Sequence, residues 1–211
     1  MKWQQIPLGA LQTNCYIVEN SDRACLIFDP GGEGKKLIQL LNNRKLKPLA
    51  IILTHAHFDH IGGVDEVRDF YKIPVYLHKK EENWLGDPAR NGSQFFMIQD
   101  SIRVNPADQI INNEGVMKIG EFEFSIFHTP GHSPGSISCY FEEQGFVISG
   151  DALFQGSIGR TDLMEGNASQ LLKSIHDKLL VLPEDTYVLS GHGPVTTIGA
   201  EMDSNPFLNG F

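Results

Sequence analysis

Cysteine is scarce. Three residues, Cys15, Cys25 and Cys139, are spread over 211 positions with no CxxC spacing. An odd, sparse set argues against a disulfide framework and fits reduced thiols packed as small core residues in a cytosolic protein. Long apolar runs are lacking too. No stretch is long enough to span a bilayer, and the N-terminal MKWQQIPLGA has no signal-peptide core, so the expectation is a cytoplasmic protein with no membrane partner. Basic residues are in deficit. The 17 Lys and Arg face 26 Asp and Glu, a formal net charge of -9, which opposes attraction to a phosphate backbone and so speaks against nucleic acid as a partner. No internal repeat or low-complexity linker divides the chain.

What remains is an ordinary globular composition, 41% hydrophobic and 20% charged, in a chain long enough to bury a sizeable core. Apolar, β-prone runs at 15–18 and 25–28 read as short strands, the second ending in Asp29-Pro30-Gly31-Gly32. Leu37, Ile38, Leu40 and Leu41 mark a helix over 34–44. A strand over 49–53, a helix around 63–71 and a strand over 74–77 follow. Residues 79–113 mix Trp84, Phe95, Phe96 and Met97 with Gly86, Pro88, Asn91 and Gly92. They read as partly helical loop whose exposed aromatics would form a local lid. Strands return at 116–119, 121–127, 136–141 and 145–149, then a helix near 168–181 and a strand over 187–190. This order suggests an α/β sandwich of two similar halves, taken as a single domain over 1–211.

The strand over 49–53 carries no charge, yet it runs straight into THAHFDHIGG, residues 54–63. Neutral imidazole and carboxylate are the usual nitrogen and oxygen donors for Zn²⁺, Fe²⁺ and Mn²⁺. In extended backbone, residues two apart point the same way, so His55 and His57 can grip one ion. If the chain turns after His57, Asp59 and His60 can meet a second. Packing alone explains such a group poorly, because every buried polar side chain needs a partner. Gly62-Gly63 lets the backbone bend before the next helix.

Further donors close later strands, each beside a glycine: His132 in HTPGHS, Asp151 in ISGD and His192 in SGHG. His55, His57, Asp59, His60, His132, Asp151 and His192 make seven candidates. A closed tetrahedral site uses four donors and a catalytic one about three plus water. Seven suit two ions, with one carboxylate between them. His78 and His176 read as ordinary residues and His128 as structural.

These motifs, in this order, resemble those of the metallo-β-lactamase superfamily. THAHFDH, the Gly-His of PGH, the Gly-Asp of SGD and the Gly-His of SGHG carry the resemblance, with Asp29 in FDPGG as its first motif, from about residue 6 to 196. It implies an αββα four-layer sandwich with the metals at one edge. It also implies that His55, His57 and His132 hold one ion and that Asp59, His60 and His192 hold the other. Asp151 then bridges, Asp29 orients a ligand, and Asp59 and Asp151 are the candidate catalytic carboxylates. Two divalent ions are expected, Zn²⁺ first, with Fe or Mn as alternatives.

Within the superfamily, GDALFQGSIGRTD, residues 150–162, resembles the GDxLFxGxxGRxD of the glyoxalase II group, the hydroxyacylglutathione hydrolases, in its short bacterial form. That implies hydrolysis of a small-molecule thioester, with Arg160 a candidate contact for an anionic substrate group. Only 19 residues follow His192, too few for the C-terminal helical domain with which full-length glyoxalase II helps to hold glutathione. A tolerant pocket is therefore expected. A thiol of pKa about 8.5 leaves readily as thiolate, so no strong general acid is needed. None is evident near the motifs, which favours thioester over peptide cleavage. The alternatives are a persulfide dioxygenase using one iron, a lactonase or other ester hydrolase, a β-lactamase and a nuclease. The absent signal peptide opposes the β-lactamase, and the net charge opposes the nuclease.

Overall fold

Short apolar runs build two six-stranded sheets in the computed structural model, which describes residues 1–96 and 101–208. The chain divides into two compact units, Met1–Asn112 and Asn113–Phe211. The class is mixed α/β, as expected.

In the first unit, β1 (Lys2–Leu8), β2 (Thr13–Glu19) and β3 (Ala24–Phe28) form an antiparallel meander. Helix α1 (Gly34–Asn43) leads to β4 (Lys47–Ile52), which pairs with β3 in parallel. A single turn, α2 (Phe58–Ile61), and α3 (Val64–Tyr71) lead to β5 (Val75–His78), and β6 (Gln109–Ile111) completes the parallel run. Cys25, Leu26, Ile27 and Phe28 of β3 and Ala50, Ile51 and Ile52 of β4 are all buried. Parallel strands covered on both faces read as continuous apolar runs rather than alternating ones, which is why the sequence pattern exposed them. Leu37 and Leu41, one turn apart, bury the inner face of α1, with Ile38 and Leu40 half-buried beside them. Because β3, β4 and β5 run in the same direction, Asp29, the 54–60 segment and His78 all emerge at one edge. Ligands commonly bind at that carboxyl edge of parallel strands.

Residues 79–113 differ from expectation at one point. Trp84 is fully buried in the core with Leu77, Leu85 and Val104, not exposed, whereas Phe95 and Phe96 are exposed. The two arms of the segment are also tied to each other. Val104 N–H donates to the Leu85 carbonyl at 2.9 Å, and buried Asn91 donates from Nδ2 to the Ile102 carbonyl at 2.9 Å. Met97 lies outside the described residues.

In the second unit, β7 (Gly115–Ile119), β8 (Phe122–His128), β9 (Ile137–Phe141) and β10 (Phe146–Gly150) form an antiparallel meander. The small hairpin of β11 (Leu153–Phe154) and β12 (Ser157–Ile158) precedes α4 (Ala168–Ser174), which is capped by the Asn167 side chain and continues as a wider π turn over Ile175–Leu179. Leu171, Ile175 and Leu179 line its buried face. β13 (Tyr187–Ser190) then pairs with β10 in parallel, β14 (Thr196–Thr197) closes that edge, and α5 (Ile198–Ser204) follows. β8 and β10 are both antiparallel to β9, and β13 is parallel to β10. The loops after β8, β10 and β13 therefore leave the same edge, and those loops carry His132, Asp151 and His192. Among the described residues no helix is long and apolar enough to cross a membrane.

Candidate metal centre

Extended backbone stops at His57, where the chain turns into α2. The residue before the histidines is fixed first. Asp29, at the end of β3, accepts the Thr54 N–H on Oδ1 at 2.8 Å and the Thr54 hydroxyl on Oδ2 at 2.6 Å. The same Oδ2 lies 3.0 Å from His60 Nδ1. Asp29 is only 2% exposed, so its carboxylate orients both ends of the motif in a water-poor setting. Its φ of 47° puts it in the left-handed region, which Asp tolerates better than most residues.

These contacts set the tautomers. With its proton given to Asp29, the Thr54 hydroxyl presents a lone pair to His55 Nδ1, 3.1 Å away. His60 Nδ1–H points at a carboxylate. In both rings the proton sits on Nδ1 and the Nε2 lone pair is the donor, the usual arrangement of a metal-binding imidazole. The His55 and His57 rings stand 4.7 Å apart edge to face, and the His55 and His60 rings 4.0 Å apart. Ring nitrogens of His55 and His57 come within 4.8 Å of each other. Asp59 Oδ2 lies 3.6 Å from His60 Nε2 and accepts the Thr13 hydroxyl at 2.7 Å.

Two supports in this unit have no sequence signature. Thr13, on β2, steers Asp59. Glu81, fully buried in the turn after β5, accepts the Ala56 N–H at 2.6 Å and so pins the backbone between His55 and His57. Trp84 lies against the His57 ring at 5.9 Å. Gly62 and Gly63 have ordinary negative φ values of -60° and -102°. Their role is close approach rather than an unusual bend, with Gly63 N–H donating to the Pro30 carbonyl at 2.8 Å. Across that contact, a Cβ on Gly31 would stand 1.8 Å from the Asp59 carbonyl oxygen.

The second unit repeats the logic. His132 Nδ1 lies 2.8 Å from the Arg160 carbonyl, which leaves Nε2 as its donor atom. Asp151 Oδ2 lies 3.5 Å from His132 Nε2 and 3.6 Å from His192 Nε2. His132 and Asp151 are buried, whereas the His192 side chain is 31% exposed. A Cβ on Gly159 would stand 1.8 Å from the Asp151 carbonyl oxygen and 3.2 Å from His132 Cβ. Each unit thus seats one donor carboxylate against a glycine backbone.

The remaining candidates fall as follows. The Arg160 guanidinium forms a two-pronged pair with Asp162, both contacts at 2.7 Å, and is half exposed. It holds the Asp162 carboxyl down to about 2. The link from Arg160 to the donors runs through its carbonyl. His128 Nε2 lies 2.9 Å from the Pro134 carbonyl and braces the loop that holds His132. His78 accepts the Lys80 N–H, and His176 is exposed on the π turn. All three cysteines are buried and outside any disulfide. Burial and then the Asp29 carboxylate push the Cys15 thiol well up, while burial and Glu19 push Cys25 up to about 12.

Nitrogen and oxygen donors on neutral imidazoles and carboxylates, with carbonyl, carboxylate or hydroxyl groups behind three of the rings, fit borderline divalent cations. Fold, motif order and donor chemistry define a metal-dependent hydrolase, and the chain belongs to the metallo-beta-lactamase superfamily, whose model matches residues 8–192. Its two β-sheets flanked by helices are the fold of that superfamily. It is 56% identical over 211 residues to the probable metallo-hydrolase YqgX of Bacillus subtilis (strain 168), covering 100% of this chain and 99% of that one. It is 37% identical over 210 residues to the hydroxyacylglutathione hydrolase GloC of Haemophilus influenzae (strain ATCC 51907 / DSM 11121 / KW20 / Rd), covering 99% of each. Among solved structures it is similar to the BLEG-1 B3 metallo-beta-lactamase, with a TM-score of 0.96, 58% identity and coverage of 99% of this chain and 100% of that one. It is also similar to TTHA1623 in a di-iron-bound form, with a TM-score of 0.86, 40% identity and coverage of 97% and 100%.

Proposed function

We propose that this chain is a dinuclear metal-dependent thioesterase of the glyoxalase II type, a single hydrolase domain over 1–211 that cleaves S-acyl and S-hydroxyacyl thioesters in the cytoplasm. The observation that carries the reading is the position of Asp151. One of its oxygens faces the Nε2 atoms of both His132 and His192 at 3.5 and 3.6 Å, too long for good hydrogen bonds and right for co-ligands. In this reading His55, His57 and His132 hold one ion, Asp59, His60 and His192 hold the other, and Asp151 lies between them. Zn²⁺ is the first choice for a donor set without thiolate; Fe²⁺ and Mn²⁺ fit the same donors, and the similarity to a di-iron protein supports iron as the alternative.

Two divalent ions bound there would lower the pKa of a shared water from about 15.7 toward 7 and offset the charge of an oxyanion at neutral pH. The chain supplies the rest. Asp29, Thr54 and the Arg160 carbonyl hold the imidazoles in the tautomer that leaves Nε2 basic. Asp59 or Asp151, the carboxylates among the donors, would accept the one proton that an attacking water releases. A thiolate departs without a general acid, since its conjugate acid has a pKa of about 8.5. The GloC relative, named as a hydroxyacylglutathione hydrolase, supports a thioester substrate. Three buried cysteines outside any disulfide support a reducing compartment.

A second reading, β-lactam hydrolysis, is favoured by the 58% identity to a B3 metallo-beta-lactamase. The test compares kcat/KM for S-lactoylglutathione, thioesters of smaller thiols, a penicillin and a cephalosporin. Thioester turnover exceeding β-lactam turnover supports the proposal. Efficient β-lactam cleavage with no thioester turnover overturns it.

A further inference from the structure

Between Asp151 and Arg160 the chain makes the β11–β12 hairpin. Both ends belong to the candidate centre, since Asp151 is a donor and the Arg160 carbonyl holds His132. The tip, Gln155-Gly156, is exposed, and a two-residue strand on each side gives it little support of its own. It is held from another part of the chain. Glu201 on α5 is only 1% exposed. Its Oε2 accepts the Gly156 N–H at 2.8 Å and the Asn205 Nδ2–H at 2.8 Å, and its Oε1 accepts the Thr196 hydroxyl at 2.6 Å. Asn205, fully buried, also donates from Nδ2 to the Ser157 carbonyl at 3.0 Å. One carboxylate and one amide thus clamp two successive residues of the hairpin. A carboxylate is costly to bury, and here it is satisfied on both oxygens.

The hairpin presents one large apolar side chain toward the donors. The Phe154 ring stands edge-on to the His192 ring, with centroids 6.2 Å apart. Phe154 is half-buried, and His192 is the more exposed of the two donor imidazoles in this unit. We propose that Glu201 is a positioning residue which, through Gly156 and the hairpin, fixes Phe154 as an apolar wall beside His192, and that this wall selects substrates by the apolar bulk of the acyl group. The idea rests on the thioesterase reading for its substrate, but the clamp itself does not.

The test therefore has two arms. In the first, hydrogen exchange of the Gly156 amide and the 152–160 segment is followed in metal-free protein for wild type, Glu201→Gln and Glu201→Ala. A clamp predicts exchange at least tenfold faster in Glu201→Ala, with protection largely restored by Gln, which keeps an acceptor for the Gly156 N–H. Unchanged exchange in Glu201→Ala overturns it. In the second arm, KM and kcat are measured for a series of thioesters of increasing apolar acyl length. Removing an apolar wall is worth about ten- to a hundredfold for the larger substrates. Glu201→Ala and Phe154→Ala should therefore both raise KM for the bulky acyl groups, leave the shortest nearly unaffected, and keep kcat and metal content close to wild type. A uniform fall in kcat across the series, or a Phe154→Ala variant with unchanged KM for every ester, overturns the assignment. If wild type cleaves no thioester, the function proposed above fails while the exchange arm still decides the clamp.

Discussion

Replacing Asp29 separates what it does for the fold from what it does for the metal donors. It receives three hydrogen bonds, from Thr54 N–H, Thr54 Oγ1–H and His60 Nδ1–H, at a site only 2% exposed. Hydrogen bonds to a charged acceptor contribute about 1.5–3 kcal/mol each, and buried donors left unmet cost about 1–3 kcal/mol. Alanine also sits poorly at a φ of 47°. Asp29→Ala should therefore lose about 4–6 kcal/mol, much of the stability of an ordinary domain. Asparagine is the sharper probe. It tolerates the left-handed region, keeps the shape and keeps an acceptor for the Thr54 N–H. Its amide group, however, presents N–H to His60 Nδ1. That favours the other tautomer, with the proton on Nε2, and removes the donor lone pair. Asp29→Asn should cost only about 1–2 kcal/mol in denaturant unfolding of the metal-free protein. Its affinity for the ion held by His60 should fall about 10- to 100-fold, or about 1.4–2.8 kcal/mol. Zinc titration calorimetry and ¹⁵N spectra of labelled histidine read both effects. Unchanged affinity together with an unprotonated His60 Nε2 in Asp29→Asn would refute the reasoning.

Gly159→Ala should abolish metal retention and lower stability by about 2–4 kcal/mol, because its Cβ would enter the Asp151 carbonyl at 1.8 Å; metal analysis and thermal unfolding check it, and near-wild-type values would contradict the backbone packing described. Cys15, Cys25 and Cys139 should resist a disulfide reagent for hours at pH 8 in the native protein and react at once in denaturant, since all are buried and Cys25 is pushed up to about 12. Asp162 is held down to about 2 by Arg160, so its contribution is complete above its unfolded value near 3.9 and is lost as pH falls through about 2. Wild type and Asp162→Asn should therefore differ slightly in Tm at pH 6 and converge near pH 2, a small effect because the pair is exposed.

The parts of the fold legible in the sequence were those written in local pattern. Continuous apolar runs mark β3 and β4 because both faces are covered, and the spacing of Leu37 and Leu41 marks α1. THAHFDH was legible because four donor-type residues so close together in sequence have no packing rationale. Other features rest on contacts between distant residues. Trp84 looked exposed because it lies among Gly, Pro and Asn, yet it closes the core beneath His57. Thr13 and Glu81 support the donors from β2 and from the turn after β5, and nothing in their own neighbourhoods marks them. The helix α5 is short and follows Gly191, Gly193 and Pro194, so its clamp on the β11–β12 hairpin is visible only in three dimensions. Arg160 reads as a side chain and acts on His132 through its carbonyl.

The most direct test of a dinuclear thioesterase is a titration of metal-free protein with Zn²⁺, and separately with Fe²⁺ under anaerobic conditions, following bound metal per chain and S-lactoylglutathione hydrolysis in the same samples. The account predicts that hydrolysis rises to its full value only as the second ion per chain binds, and that His57→Ala and Asp151→Ala each lose metal and nearly all turnover. Full hydrolytic activity at one ion per chain, or oxygen consumption with a persulfide at one iron per chain and no thioester cleavage, would contradict it.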